Sequence, residues 1–302
     1  MKKVLFATTA LIATAGVASA DITLTGDGRM GLVNTETNTN NDNDMTFDSR
    51  LRFTLTASGV TDGGLSFGGS ARIDHYNTNT NDGTGGASAA NGQAGSVYIS
   101  GAFGKITMGD ISDAAESAVG DVAGVGYTAG SVMVDNEMGY IGGTDDEGVA
   151  YSYSVNGLTV YASLGQRQAA SADNQSSFGA AYTMNGITFA AGTTEHGNID
   201  QTAFGVSGTF AGLGLKAVVL DNDNHGTVDG EFAVSATYAV DDSLTLTAFT
   251  RSVDNITGAD DDFTGVGFAY NLGGGASLKG GYVSDGASRG YDQMDLGLNF
   301  SF

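Results

Sequence analysis

The chain contains no cysteine, no proline and no tryptophan in 302 residues. Without cysteine no disulfide can frame it, so an exported chain of this size is held by its fold alone. Basic residues are scarce, 12 Lys and Arg against 34 Asp and Glu, for a net charge of −22. That balance argues against a nucleic-acid partner, because phosphates need a basic face. No apolar run after residue 20 is long enough for a transmembrane helix. The only imidazoles are His75, His196 and His225. They show no metal-ligand spacing, and neither a Gly-x-Ser-x-Gly elbow nor a phosphate-binding loop occurs. His196 follows Glu195 on an expected loop, a pairing that carries no catalysis by itself. The chain is read as a non-enzyme that requires no cofactor.

What is present begins at the N-terminus. Met1-Lys2-Lys3 is a short basic start, and Val4 to Val17 is uncharged and apolar or small. Ala18-Ser19-Ala20 then satisfies the small-x-small cleavage rule. The apolar run is too short to span a bilayer, so residues 1–20 are read as a secretory signal peptide and 21–302 as the mature domain. Losing Lys2 and Lys3 leaves 10 basic residues against 34 acidic ones, a charge of about −24. Glycine is abundant, at 48 residues. Leu, Ile, Val and Phe are too sparse for an ordinary soluble core. Two architectures fit: a loosely packed acidic secreted protein, or a barrel whose apolar surface faces lipid.

Periodicity decides between them. Apolar residues recur every second position: Ile22, Leu24, Met30, Leu32; then Phe47, Leu51, Phe53, Leu55; then Leu65, Phe67, Ala71, Ile73; and last Met294, Leu296, Leu298, Phe300, Phe302. Such alternation marks half-buried strands. With each strand phased on its apolar residues, Arg29, Arg50, Arg52, Arg72, Lys105, Arg167, Lys216, Arg251 and Lys279 all fall on the other face. That face is otherwise mostly Thr, Ser, Gly and Ala. A soluble sandwich would carry many more charges there, whereas a wet lumen suits this composition. Lipid forces every backbone group to be paired, and a closed barrel with apolar-out, polar-in strands achieves it.

The connections alternate in length. Short ones are Gly59–Gly64, Gly101–Gly104, Asn156-Gly157, Asn185-Gly186, Ala211–Gly214, Asp241–Ser243 and Gly273–Gly275. Asn-Gly supplies the positive φ of a type I′ hairpin turn. Long polar ones are Asn34–Asp44, Asn77–Gly95, Asp110–Asp146, Gln168–Ser176, Glu195–Gln201, Asp221–Gly230, Asp254–Asp261 and Ser284–Gly290. Together they join about sixteen strands, with short turns on the periplasmic side and long loops outside, the outer-membrane layout. The expected fold is all-β, a 16-stranded antiparallel transmembrane β-barrel. With no Trp, interfacial girdles must be built from Tyr and Phe.

Two stretches carry a family resemblance. Phe302 closes an alternating last strand, Leu-Gly-Leu-Asn-Phe-Ser-Phe, and resembles the C-terminal assembly signal of outer-membrane proteins. Phe103-Gly-Lys-Ile-Thr-Met-Gly-Asp-Ile-Ser-Asp-Ala-Ala-Glu-Ser-Ala-Val-Gly-Asp resembles the fifth strand and third loop of general bacterial porins, alphaproteobacterial ones in particular. The enterobacterial Pro-Glu-Phe-Gly-Gly-Asp form of that loop is missing. The resemblance implies a third loop folded into the barrel, a homotrimer, and passive diffusion of small hydrophilic solutes and ions. Asn77–Gly95 is then a loop for contact with a neighbouring protomer.

A constriction of that kind sets opposite fixed charges across a narrow aqueous gap, whose field orients dipolar solutes. Arg29, Arg50, Arg52 and Arg72 project inward from three consecutive strands and form one wall patch, since lipid is a costly home for guanidinium. Asp110, Asp113, Glu116 and Asp121 are the matching candidates on the loop. Asp113 to Val119 has helical spacing, which would put Asp113 and Glu116 on one face. The acid excess predicts cation preference.

One further stretch, Asp221-Asn-Asp-Asn-His-Gly-Thr-Val-Asp-Gly-Glu, resembles a calcium loop with the acid displaced by one residue. It is read either as a weak calcium or magnesium site held by Asp221, Asp223, Asp229 and Glu231, or as a solvated tip. Acidic external loops beside lipopolysaccharide headgroups would suit a divalent ion. Asp42/Asp44 and Asp260/Asp261/Asp262 are read as solvated tips. Two rival functions stay open. A substrate-selective channel would show lysines or stacked aromatics in the lumen. A calcium-binding acidic surface adhesin would be soluble without detergent.

Overall fold

Alternation along each segment determines which face meets the surroundings. In β1 (Asp21–Thr35), Ile22, Leu24 and Met30 stand exposed while Arg29 and Val33 are buried. β2 (Thr46–Val60) and β3 (Ser66–Asn77) repeat the pattern, with Phe47, Leu51, Leu55, Phe67 and Ile73 exposed. The structure, a computed structural model, describes residues 21–35, 45–77, 95–129, 136–142, 148–165, 175–285 and 292–302. The expected signal peptide, Arg167, Asp42/Asp44 and most of the Asn77–Gly95 and Gln168–Ser176 loops lie outside the described residues.

The remaining strands follow in order. They are β4 (Gly95–Gly101), β5 (Gly104–Gly109), β6 (Gly148–Val155), β7 (Leu158–Gly165), β8 (Gln175–Met184), β9 (Ile187–His196) and β10 (Ile199–Phe210). Then come β11 (Leu213–Asp223), β12 (Val228–Ala239), β13 (Leu244–Asn255), β14 (Asp261–Gly273), β15 (Ala276–Asp285) and β16 (Gln293–Ser301). Each pairs antiparallel with its sequence neighbour, and β1 pairs β16, so the sixteen strands form a closed barrel. Closure removes every unpaired edge. The exposed apolar side chains then ring the outside, Phe210 and Phe47 at 79% and 81% exposure among them. A soluble adhesin does not fit this surface, because so much apolar area must be covered.

The seam is finished by the last residue. Phe302 N–H donates to the Gly26 carbonyl at 2.9 Å, and Gly26 N–H donates to Phe302 O at 2.6 Å. The ring packs over Gly26 and lies edge-on to Phe53, centroids 6.1 Å apart. No side chain fits at Gly26 beneath that ring.

The hairpin ends follow the turn chemistry. Asn156-Gly157 has φ of 48° and 82°, and Asn185-Gly186 has 54° and 80°, the double positive φ of the hairpin turn. Ala211-Gly212 adopts the same form at φ 51° and 83°. Three expected long loops are instead short. The Glu195–Gln201 connection reduces to residues 197–198, because β9 and β10 pair up to His196↔Ile199. The Asp221–Gly230 and Asp254–Asp261 connections shrink likewise, since β11 runs on to Asp223 and β13 to Asn255. Polar residues stay in the ladder wherever both faces meet water, and each residue retained there keeps its backbone bond.

Candidate functional site

The segment after β5 does not stay outside. Its short helix α1 (Ala114–Val119) lies inside the barrel against β7 to β10. Asp113 caps it, Oδ1 accepting from Glu116 N–H at 2.6 Å. The wall is shaped to receive it. Gly179, Gly192 and Gly205 stand in a row on β8, β9 and β10 beneath the helix. A Cβ on Gly192 would lie 2.5 Å from Ala115 Cα, and one on Gly205 would lie 2.8 Å from Val119 Cγ1. Further along, Gly267 and Gly281 admit Val125 and Gly126, and Gly297 and Gly31 admit the Tyr127 ring. The glycines thus form a gutter that the loop follows around the inner wall.

Strand side chains tie the loop down. Ser163 and Ser177 hydroxyls accept from Ala114 and Ala115 N–H, and Ser235 accepts from Ala123 N–H, each at 2.9 Å. Asp295 accepts from Thr128 N–H at 2.8 Å and from its hydroxyl at 2.7 Å. Glu231 accepts from Gly139 N–H at 3.0 Å, and Gln201 donates to the Gly139 carbonyl at 2.9 Å. Apolar contacts complete the seat. Val119, Val122 and Met138 pack on Ala203, Val218, Leu220 and Ala233, and Val125 packs with Phe249, Phe263 and Val283. The inner wall is therefore not uniformly polar. It is apolar where the loop covers it, because both sides of the sheet there are removed from water.

The four predicted arginines do face inward, each beside an aspartate. Arg29 Nε is 3.0 Å from Asp48, and Arg50 is 3.2 Å from Asp27. Arg52 and Arg72 share Asp74, at 3.0 and 3.1 Å. The patch is thus four guanidinium groups on three carboxylates rather than a bare positive wall. Arg29, only 4% exposed, sits beneath the loop end near Tyr127 and does not line the free lumen. Arg50, Arg52 and Arg72 remain accessible.

The four loop acids separate into different roles. Asp113 is fully buried. Beyond capping α1 it accepts from Thr194 at 3.2 Å. It faces the wall, so the expectation that it shares a lumen face with Glu116 is corrected. An N-cap side chain turns back onto the helix end and is not free to point along the helix face. Asp121 accepts from Met138 N–H at 2.8 Å and pins the loop across itself. Asp110 is exposed at the loop's start. Glu116 is half-buried, and its carboxyl is pushed up to about 7, by burial first and then by the charges of Asp113, Asp121 and Glu137. Burial also raises Asp121, against the Met138 N–H bond and the cations of Lys216 and Arg251.

Lys216 and Arg251 were placed on the lumen face by sequence but not assigned to the constriction. Arg251 lies 2.9 Å from Glu231. Their signal was available: both are cations on strands whose inward neighbours are small or apolar. The calcium reading is corrected. Glu231 is buried toward Arg251 and Gly139, whereas Asp221 and Asp223 occupy the opposite, outward phase of β11 and are exposed. One ion cannot reach both faces of a strand. His225 closes that tip instead, its Nδ1 accepting from Val228 N–H at 3.2 Å. No group of three acids or imidazoles among the described residues converges on a metal position.

Comparison with known proteins gives one consistent result. The Gram-negative porin family matches residues 7–290. A porin from Rhodobacter capsulatus is 32% identical, covering 93% of this chain and all of the relative. A porin from Fuscovulum blasticum is 26% identical over 93% of this chain and 80% of its own length. Among solved structures, a porin refined at 1.8 Å resolution superposes with a TM-score of 0.78 at 28% identity, covering 93% of this chain and all of that one. An engineered variant of Rh. blastica porin shares the fold, at a TM-score of 0.74 and 21% identity.

Proposed function

Because the chain belongs to the Gram-negative porin family, whose members are outer-membrane diffusion channels, we propose that it passes small hydrophilic solutes and ions through a charged, cation-preferring constriction. The loop's path carries this reading. Its anchors among the described residues run from β7 around to β16. The wall on which no described loop residue is anchored presents Arg50, Arg52 and Arg72. Solutes would pass between that wall and the loop edge bearing Glu116 and Asp121. The three accessible arginines share two aspartates, Asp27 and Asp74, so pairing leaves the patch only one charge positive. The chain's large acid excess then favours cations in and above the gap.

Export by residues 1–20, assembly as a homotrimer and contact with lipopolysaccharide belong to the same proposal. The test is a planar-bilayer recording of detergent-extracted protein that migrates anomalously when unboiled. Stepwise conductance with a reversal potential of cation sign in a KCl gradient is expected. Anion preference would overturn the selectivity, and absence of conductance would overturn the channel.

A further inference from the structure

On the short-turn side of α1, the wall and the loop flank an open cleft of about 220 Å³. Its polar lining is Lys105 and Thr107 of β5, Ser152 of β6, Tyr161 of β7, and Ser112 and Ser117 beside or on the helix. Register fixes its level. Lys105 pairs Ser152 and Ser152 pairs Tyr161, one inward step below the Ser163 hydroxyl that holds Ala114.

These side chains are chemically unspent. The Lys105 ammonium has no carboxylate partner among the described residues and rests 4.5 Å above the centre of the Tyr98 ring. That sets it apart from Arg29, Arg50, Arg52, Arg72 and Arg251, all of which are ion-paired. Among the described residues the hydroxyls of Thr107, Ser117, Ser152 and Tyr161 have no protein partner, while Ser112 bonds Glu116. An ammonium brings three donors and each hydroxyl one donor and two acceptor sites. Such groups, gathered in one cleft beside an aromatic ring, need a ligand rich in hydroxyls and carrying one anion.

We propose that this cleft is a subsite for a monosaccharide bearing a carboxylate, a hexuronate or an aldonate. The inference rests on the channel reading, because the ligand reaches the cleft through the lumen. Lys105 takes the carboxylate, the hydroxyls of Ser152, Ser117 and Thr107 exchange bonds with the sugar's, and the Tyr161 ring covers an apolar sugar face. The size is right: 220 Å³ holds about seven waters at ~30 Å³ each, the load one sugar ring displaces. A bare anion would leave most of the hydroxyls unused.

Saturation-transfer NMR on the detergent-solubilised protein, titrated with D-glucuronate and separately with D-glucose, tests this whether or not the pore conducts. Glucuronate is expected to bind about tenfold more tightly than glucose, the worth of one charge-assisted bond. Lys105→Met should bring glucuronate down to the glucose level and leave glucose unchanged, which also reports a folded protein. Tyr161→Leu should weaken both. Equal binding of the two sugars by the wild-type protein, no binding of either, or glucuronate affinity untouched by Lys105→Met would each overturn the subsite. Retained binding without bilayer conductance would sink the channel reading alone.

Discussion

The selectivity of the pore should change with pH through Glu116. Its carboxyl is pushed up to about 7 by burial beside Asp113, Asp121 and Glu137. At pH 5 about one molecule in a hundred carries the charge, and at pH 9 about all do. The sign follows: raising the pH adds a negative charge at the loop edge, so cation preference increases. At about 6 Å through water one charge is worth about 0.7 kcal/mol, and screening at 0.1 M salt reduces this to about 0.4. Cations gain about twofold and anions lose about twofold, so the permeability ratio rises about fourfold. Linkage runs the other way for the seat. The fold favours the neutral acid, so Glu116's contribution to stability is complete below its ordinary 4.5 and is lost as pH rises through about 7. Reversal potentials in a KCl gradient, at 0.1 M mean salt and stepped from pH 5 to 9, read the effect. Glu116→Gln should abolish the step and hold the pore near its acidic value. A flat profile, a midpoint near 4.5, or an unchanged step in the variant would refute the argument.

Other perturbations have equally definite outcomes. Arg50→Gln with Arg52→Gln removes two cations and frees Asp27 of its partner. The K⁺/Cl⁻ permeability ratio should rise about fifteenfold by the same charge arithmetic, about fourfold for each charge removed, with heat-modifiable migration intact. Gly192→Val drives a side chain into Ala115. Overpacking of this kind costs about 1–3 kcal/mol, so α1 should leave its seat and single-channel conductance should rise with strand content unchanged by circular dichroism. Deleting Phe302 loses two backbone bonds across the seam, each worth about 1 kcal/mol, and exposes Gly26. The folded band on unboiled gels should fall well below the wild-type level.

Strand number, orientation and the inward arginines were legible because a barrel wall has a two-residue period and each inward charge is forced by lipid on the other side. Asn156-Gly157 and Asn185-Gly186 were legible because their φ demand is local. What escaped depends on a third layer. Asp113 reads as a free acid until the helix behind it supplies the N–H it caps. Glu231 reads as a loop ligand until β12 extends far enough to turn it toward Arg251. The apolar inner wall left one local trace. Ala217-Val218-Val219-Leu220 abandons alternation, which marks a strand covered on both faces.

That trace shows how the loop and the barrel specify one another. A wet lumen tolerates polar residues anywhere on its inner face, so polarity alone cannot position a loop. Position comes from the exceptions. Glycines at 179, 192 and 205 remove the side chains that would hold the helix off the wall. Val218, Leu220 and Ala233 would be exposed to water without it. Ser163, Ser177, Ser235 and Asp295 then meet the loop's N–H groups in the order that the strands follow round the barrel. Each strand from β7 to β16 contributes at least one small, apolar or accepting residue at the level the loop passes. A one-residue slip of any strand would turn that contribution outward to lipid. The register that closes the barrel therefore also sets where the loop lies, and among the described residues β2 to β4 offer it no such seat.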